Sequence, residues 1–277
     1  MSAHPQTRRR ELLLAGSWLA LGAPAVQAQV FDHEHAAWTR LLGRHVKLIN
    51  EGRASQVDYR GFARERTALK SYLDRLSAVA PAQYAAWNKA QQFAFLANAY
   101  NAFTIEKVLM RYPNLKSIRD FGTVFGNPWK DRFFMLLGQP QHLDGIEHET
   151  MRAPGVFDDP RVHVAVNCAS VGCPMLPDRA LVAESLDAQL DDLLLRFMSD
   201  RSRNRHEPAQ RHVALSRIFD WYGKDFTQGH RGFHSVADVA ARYADRLADA
   251  PADRAALRAR SVPVVFLEYD WTLNDLR

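Results

Sequence analysis

A long stretch of mostly apolar residues, KAQQFAFLANAYNAFTIEKVLMRY, extends from Lys89 to Tyr112. Its apolar side chains are spread nearly all round at the helical period, which is typical of a helix buried in the core of a domain. Pro113 follows directly and is expected to end the helix, because proline cannot continue the backbone hydrogen bonds. The stretch therefore predicts a long helix inside the hydrophobic core.

Two asparagines, Asn98 and Asn101, interrupt this apolar stretch. Because they are three residues apart, they lie on the same side of the predicted helix. A buried amide destabilises a fold unless it is hydrogen-bonded, so both side chains need partners. Two interpretations are open: the amides bind the backbone of a neighbouring loop, or they line a polar site. In that site Asn98 would contact a substrate and Asn101 would orient a catalytic base.

The rest of the chain mixes helical and strand patterns without a linker. We therefore predict an α+β fold over residues 29–277, a single domain whose helical N-terminal half packs on a small, mainly antiparallel sheet. The expected helices cover residues 31–50, 59–79, a short segment from Pro81, 145–152, 185–198 and 235–248. The expected strands cover residues 161–167, 212–219 and 262–269, together with a hairpin at 132–145.

The N-terminal segment has the composition of a secretory leader. Three arginines, Arg8 to Arg10, precede a short apolar stretch, and Val26-Gln27-Ala28 has small residues where a signal peptidase cleaves. We predict a signal peptide over residues 1–28, in which Arg9-Arg10 also fits the twin-arginine type. The alternative is an uncleaved membrane anchor. The apolar stretch is interrupted by Gly and Pro and is shorter than the ~20 residues that a spanning helix needs, which favours cleavage.

Composition and charge narrow the class of protein. The 277 residues are 47% hydrophobic and 24% charged, as in ordinary globular proteins. The formal charge of the whole chain is +5, and the chain without residues 1–28 carries 33 basic and 30 acidic residues. This near balance does not favour nucleic-acid binding. We expect a periplasmic or secreted protein without a membrane span after signal cleavage.

The two cysteines lie in the stretch HVAVNCASVGCPML, residues 163–176. Cys168 directly follows the predicted strand 161–167, in which His163 would face a second layer. The small residues after it allow close approach of a substrate, with Ser170 as a contact. Loop amides beside the sulfur would lower the pKa of the thiol and could bind an oxyanion.

Three interpretations of the cysteine pair follow from its spacing. A metal site is the weakest, because two cysteines five residues apart still need two further ligands. A Cys168–Cys173 disulfide suits an oxidising compartment. A nucleophilic thiol at Cys168 needs a histidine base, for which the candidates are His148 and His163, and a polar orienter such as Glu147. The disulfide and the free thiol both remain open, and no cofactor is indicated.

Five motifs occur in a fixed order and identify a family. They are FAFLANAYNAFTIEKVL, HLDGIEHETMR, DPRVHVAVNCASVGCPML, ALSRIFDWYGKDF and YDWTLND. Together they closely resemble the family called domain of unknown function 547 (DUF547), over roughly residues 80–273. The resemblance implies export, since bacterial members tend to be exported. Plant members often lack a counterpart of Cys173, which favours Cys168 as the working residue.

The resemblance also implies a distant similarity to papain-like and transglutaminase-like thiol enzymes. Those enzymes use a cysteine, a histidine and a polar orienter. In papain-like enzymes the cysteine comes first, whereas His148 precedes Cys168 here, so the chain order would have to be rearranged.

Two functions are therefore expected. The first is a thiol-dependent hydrolase or acyl transferase of the bacterial envelope, acting on an amide in a small peptide-like or cell-wall ligand. The second is a non-catalytic envelope protein that binds a ligand or has a structural role, with a Cys168–Cys173 disulfide. The candidate site residues are Cys168, His148, Glu147, His163 and Asn101 for catalysis, Asn98 and Ser170 for substrate binding, and Cys168 with Cys173 for the disulfide.

Overall fold

A computed structural model of the chain describes Met1, residues 30–122 and residues 127–276. The described residues from Phe31 onward form one compact unit. The predicted signal peptide, residues 1–28, lies outside the described residues apart from Met1 and stays a prediction. In the part of the chain that the structure describes, no helix is both long and apolar enough to cross a membrane.

The unit Phe31–Arg277 has the α+β architecture that the sequence predicted, and its core is one continuous apolar cluster. Helices pack around a central long helix, α5, which contacts α2, α3 and a π-helix. The helices are α1 (Ala36–His45), α2 (Tyr59–Arg64), α3 (Arg66–Ser77), α4 (Pro81–Ala85), α5 (Lys89–Leu109), the π-helix Gly145–Met151, α6 (Val162–Ala165), α7 (Leu186–Ser199), α8 (Ile218–Trp221), α9 (Val236–Arg242), α10 (Ala244–Leu247) and α11 (Pro251–Arg258).

The strands form small separate sheets rather than one. β1 and β2 pair antiparallel, β3 and β4 form the expected hairpin, and β6 lies between β5, antiparallel, and β7, parallel. The strands are β1 (Val46–Ile49), β2 (Ala54–Val57), β3 (Phe134–Leu136), β4 (Gln139–Gln141), β5 (Arg205–Glu207), β6 (His212–Leu215) and β7 (Val264–Phe266).

The buried helix α5 is confirmed. It begins with a capping box, in which the Asn88 side chain accepts from the Gln91 backbone N–H and the Gln91 side chain accepts from that of Asn88. Every residue from Phe93 to Leu109 is buried. The helix therefore presents its polar as well as its apolar side chains to neighbouring segments.

The strand predicted over residues 161–167 is wrong. Residues Val162–Ala165 form the short helix α6, and the chain becomes extended only at Val166. β-Branched residues favour strands, but here Asn101 supplies the backbone partners that a strand would need. Its amide donates to the carbonyl of Ala165 and its oxygen accepts from the N–H of Asn167. Tertiary hydrogen bonds have thus replaced strand pairing.

Several other helices and strands are shorter than the ranges over which the apolar pattern of the sequence predicted them. The helix expected over residues 31–50 ends at His45, because the next four residues pair with β2. The helix expected over residues 59–79 is divided at Glu65. The predicted last strand is reduced to β7, which is half-exposed rather than buried because it forms one edge of its sheet.

Candidate active site

A cavity of about 200 Å³ lies between α5, the π-helix, α8 and two irregular segments. One is the loop that carries Cys168 and Cys173, called the cysteine loop below, and the other is the C-terminal segment, which carries Tyr269 and Trp271. It brings together several of the residues singled out in the sequence. It is lined by Tyr100, Asn127, Trp129, Asp144, Glu147, His148, His163, Val166, Cys168, Cys173, Ile218, Trp221, Tyr222, Tyr269 and Trp271.

The sulfur of Cys168 has three side-chain partners. Its Sγ lies 2.7 Å from Cys173 Sγ, 3.0 Å from Ser170 Oγ and 3.2 Å from the hydroxyl of Tyr269. Ser170 Oγ and the Tyr269 hydroxyl are themselves 2.9 Å apart. The two sulfurs are not joined by a disulfide in this structure. The sulfur of Cys168 is thus surrounded by O–H and S–H groups that can donate to it.

These donors lower the pKa of Cys168. Burial raises the pKa of the thiol, but the hydrogen bonds of Cys173, Ser170 and Tyr269 outweigh this effect and bring the pKa to about 7. Burial raises the pKa of Cys173 and of Tyr269 well above their ordinary values, so both remain protonated donors. Cys168 is therefore partly a thiolate at neutral pH, without a histidine at the sulfur.

The C-terminal segment positions Tyr269 over the sulfur. The N–H of Gly172 donates to the carbonyl of Asp270 at 2.8 Å, and that of Val171 to the carbonyl of Thr272 at 2.8 Å. A Cβ at Gly172 would lie 3.0 Å from the backbone of Asp270 and from the Tyr269 ring. Only glycine permits this close approach without a shift of the segment.

Most backbone N–H groups of the cysteine loop donate hydrogen bonds to atoms of the loop itself. The sequence led us to expect that these N–H groups would bind an oxyanion, and their observed partners differ from that expectation. The N–H of Cys168 donates to Cys173 Sγ at 2.9 Å, and that of Ala169 donates to Asn167 Oδ1 at 2.9 Å. The N–H of Ser170 bonds to the sulfur of Cys168. Ala169 is in the left-handed region with φ 65°, so the chain turns sharply directly after the cysteine.

The buried ring of His163 lies between two carboxyl groups, those of Asp225 and Glu147. Its Nε2 lies 2.7 Å from Asp225 Oδ2, and its ring stacks on Tyr222. Burial lowers the pKa of His163, so the neutral ring donates from Nε2 to the carboxylate. Nδ1 is then an acceptor. It is buried, has no hydrogen-bond partner among the described residues, and lies 3.9 Å from Glu147 Oε1.

Glu147 faces that acceptor. Burial raises the pKa of Glu147, against the opposing effects of His148, the Tyr100 hydrogen bond and Arg152. A carboxyl group with a raised pKa holds its proton to higher pH, and this group also lines the cavity. Glu147 is therefore suited to general acid–base work.

The contacts of His148 differ from those expected of a base that takes the proton of the Cys168 thiol. The guanidinium of Arg152 donates to His148 Nδ1 at 2.8 Å, which leaves Nε2 as the protonated nitrogen, 3.7 Å from Asp144 Oδ1. Arg152 also pairs with Asp225 at 2.6 Å. Neither His148 nor His163 is among the hydrogen-bond partners of the Cys168 sulfur in the described part of the chain.

Asn98 and Asn101 bind backbone, the first of the two interpretations. Asn98 donates to the carbonyl of Leu181 at 2.7 Å and accepts from the N–H of Leu181 at 3.1 Å. Asn101 holds Ala165 and Asn167 as described above. Neither asparagine is among the described residues that line the cavity. Asn101 therefore acts on Cys168 only indirectly, because it holds the backbone of the residues that precede Cys168.

Several residues of the cavity were not singled out in the sequence. Tyr269 belongs to the motif YDWTLND, but nothing in its spacing connects it with a cysteine 101 positions earlier. Asp225 and Arg152 are charged residues in polar segments, and only the folded chain brings them to His163 and His148. Among the described residues, no group of three or more His, Cys, Asp or Glu is arranged to hold a metal ion.

Comparison with known families agrees with the motifs. Residues 84–198 match the family model described as "Protein of unknown function, DUF547". The matched part of the chain contains α5, the π-helix and both cysteines. No curated protein and no solved structure matched the chain significantly.

Proposed function

We propose that this cavity is the active site of a thiol-dependent hydrolase or acyl transferase that acts on an amide, with Cys168 as the nucleophile. The observation that carries the proposal is the sulfur of Cys168. It lies at the wall of a cavity, has a pKa of about 7, and is hydrogen-bonded by Ser170, Cys173 and Tyr269. A thiolate stabilised by neighbouring donors at neutral pH is the usual state of a reactive cysteine.

The first step is addition of the thiolate to the carbonyl carbon of the amide. The C–S bond forms and the carbonyl oxygen becomes an oxyanion. As the negative charge leaves the sulfur, the hydroxyls of Ser170 and Tyr269 can turn from the sulfur to that oxygen. Two side-chain hydroxyls thus replace the backbone amides that the sequence suggested as oxyanion donors.

The second step needs a proton for the leaving amine. Glu147 supplies it as the C–N bond breaks, because burial raises the pKa of this carboxyl group and so favours its protonated form. A thioester on Cys168 remains. The Glu147 carboxylate then accepts a proton from the water or other nucleophile that attacks the thioester, and the thiolate leaves. His163, held by Asp225, presents Nδ1 to Glu147 and acts as a positioning residue for it.

The proposal is tested by the rate of alkylation with iodoacetamide between pH 5 and pH 9, followed by intact mass. One site is expected to react, with a midpoint near pH 7, and the Cys168→Ala variant should not react at that rate. The Cys173→Ala variant keeps the Cys168 thiol but loses one of its donors, so it should still react at one site, with a midpoint above that of the parent. Equal labelling of the parent and Cys168→Ala, or a midpoint near the ordinary thiol value of about 8.5, contradicts the proposal.

A non-catalytic protein with a Cys168–Cys173 disulfide is the second candidate. The observation that favours it is the 2.7 Å separation of the two free sulfurs, from which a bond can form with little movement. A thiol count on denatured protein, purified without reductant from the compartment where it works, separates the two. Zero free thiols favours the bridged form, and two free thiols favours the enzyme.

We also propose that the protein is exported and works in the bacterial periplasm or outside the cell. The support is the leader TRRRELLLAGSWLALGAPAVQA, which precedes the predicted cleavage after Ala28. Cell fractionation with N-terminal sequencing should find a mature chain that begins at Gln29. The double variant Arg9→Lys with Arg10→Lys should remain unprocessed in the cytoplasm. Full processing of that variant would exclude the twin-arginine type.

A further inference from the structure

The mouth of the cavity is formed by aromatic rings. Trp271 lies 5.6 Å from Trp221, 4.6 Å from Tyr269 and 6.0 Å from Trp129, measured between ring centroids. Trp221 keeps 45% of its surface exposed, and together with its aromatic neighbours it forms a contiguous patch of the kind that marks binding sites. We call these four residues the aromatic wall. Tyr222 continues it inward by stacking on His163.

Two carboxyl groups lie beside the aromatic wall, on the π-helix side of the cavity. Asp144 and Glu147 are both nearly buried and both line the cavity. Asn127 connects Asp144 to the wall, because it donates to Asp144 Oδ2 at 3.3 Å and accepts from the N–H of Trp129 at 3.0 Å. The acidic groups and the rings therefore face one space.

Among the described residues, no Lys or Arg forms an ion pair with Asp144. Arg152 is paired with Asp225 at 2.6 Å. Neutral His148 approaches Asp144 only to 3.7 Å and Glu147 only to 3.8 Å. The thiolate of Cys168 adds further negative charge. Asp144 and the thiolate of Cys168 thus place negative charge beside electron-rich ring faces, and both attract a cation.

We infer that the cavity recognises its substrate through a cationic amine group, held between the aromatic wall and the carboxyl groups of Asp144 and Glu147. This inference rests on the proposed function for the identity of the reaction, since it places the cation next to the amide that Cys168 attacks. It names the substrate class as an amide whose neighbouring part carries an ammonium or substituted ammonium group.

A cation fits these residues better than a neutral sugar or an apolar group. Stacking on tryptophan serves all three, but only a cation also compensates the nearly buried carboxylate of Asp144. Two rings of this cavity already contact guanidinium groups. The guanidinium of Arg119 lies 5.0 Å from the Trp271 ring, and that of Arg152 lies 4.7 Å from the Tyr222 ring.

The test is calorimetric binding of three probes to the full chain: choline, its uncharged isostere 3,3-dimethylbutan-1-ol, and glucose. Binding is measured on the parent and on Cys168→Ala, which keeps the aromatic wall but cannot react. Choline is expected to bind at least about tenfold more tightly than the isostere, the difference that a desolvated cation–ring contact supplies. Equal affinities, preference for glucose, or no binding of any probe overturns the inference.

Matched variants locate the site. Asp144→Asn keeps the shape and removes one charge, and Trp221→Leu removes an exposed ring; each should weaken choline binding about tenfold and leave binding of the isostere less affected. The control for the first is Asp178→Asn, which lies outside this cavity and should bind like the parent. Unchanged choline binding in Asp144→Asn overturns the inference.

The two proposals fail separately. If choline binds Cys168→Ala and the parent alike but iodoacetamide does not find a low-pKa thiol, the cation site stands and the enzyme proposal falls. If the thiol reacts as expected and choline does not bind, the reverse holds.

Discussion

The hydroxyl of Tyr269 lies 3.2 Å from the sulfur of Cys168 and is one of the donors that lower the pKa of this thiol. A donor to a thiolate stabilises the charged form and so lowers the pKa of the thiol. Tyr269→Phe should therefore raise the pKa, and the midpoint of iodoacetamide alkylation should move upward by about one pH unit, since a hydrogen bond to a charged group contributes ~1.5 kcal/mol. The rate above the midpoint should change little, and the rate at neutral pH should fall.

Tyr222→Phe is the control for this residue. Tyr222 lines the same cavity, but its ring stacks on His163 and it is not among the hydrogen-bond partners of the Cys168 sulfur. Its loss should leave the midpoint near pH 7. An equal upward movement in both variants would show that Tyr269 acts through packing and not through its hydroxyl.

At the level of elements, the cysteine loop and the C-terminal segment act as one unit. Gly172 allows their backbones to approach, with its N–H 2.8 Å from the carbonyl of Asp270. Gly172→Ala would place a Cβ 3.0 Å from Asp270 and the Tyr269 ring. The segment must then move and carry Tyr269 away from the sulfur. We expect a loss of about 1–3 kcal/mol in the free energy of unfolding and slower alkylation of Cys168 at pH 7.

The matched glycine is Gly43 in helix α1. A Cβ there meets only the carbonyl oxygen of Asp178 at an ordinary 3.7 Å. Because alanine favours the helix, Gly43→Ala should raise stability by about 1 kcal/mol and leave the thiol unchanged. Urea denaturation and the alkylation rate measure the two effects. If Cys168 of Gly172→Ala were alkylated at the same rate as in the parent, the packing of the cysteine loop would not control the reactivity of this thiol.

The whole molecule should lose stability in mild acid because it buries neutral histidines. Burial lowers the pKa of His35 from 6.5 to about 4, and its Nδ1 lies 2.7 Å from the Tyr72 hydroxyl. Below pH 6.5 the unfolded chain binds a proton that the folded chain does not, so unfolding becomes easier as pH falls. This group alone should remove about 3 kcal/mol between pH 7 and pH 4.

His35→Asn tests this effect, because asparagine does not titrate and tolerates the left-handed backbone of His35, with φ 46°. Urea midpoints at pH 7 and pH 4 should differ less in the variant than in the parent. The buried ring of His163 contributes in the same direction and keeps part of the pH dependence. The same pH dependence in both proteins would exclude His35 as a source.

The local pattern of the chain was enough to predict helix α5, the β3–β4 hairpin and the α+β class. Each depends on neighbours in the chain, through helical spacing and turn residues. The strand predicted at 161–167 is wrong because Asn101, 64 positions before Ala165 and 66 before Asn167, supplies the backbone partners of this segment. Local patterns do not show these two hydrogen bonds.

The roles within the site were decided by tertiary structure alone. Tyr269 reaches the sulfur from 101 positions along the chain, and Asp225 reaches His163 from 62. Burial, rather than residue type, raises the pKa of Glu147 and lowers that of His163. Local patterns carry secondary structure because backbone hydrogen bonds in a helix or hairpin are local, whereas solvent exclusion and the donors around a thiol are properties of the packed chain.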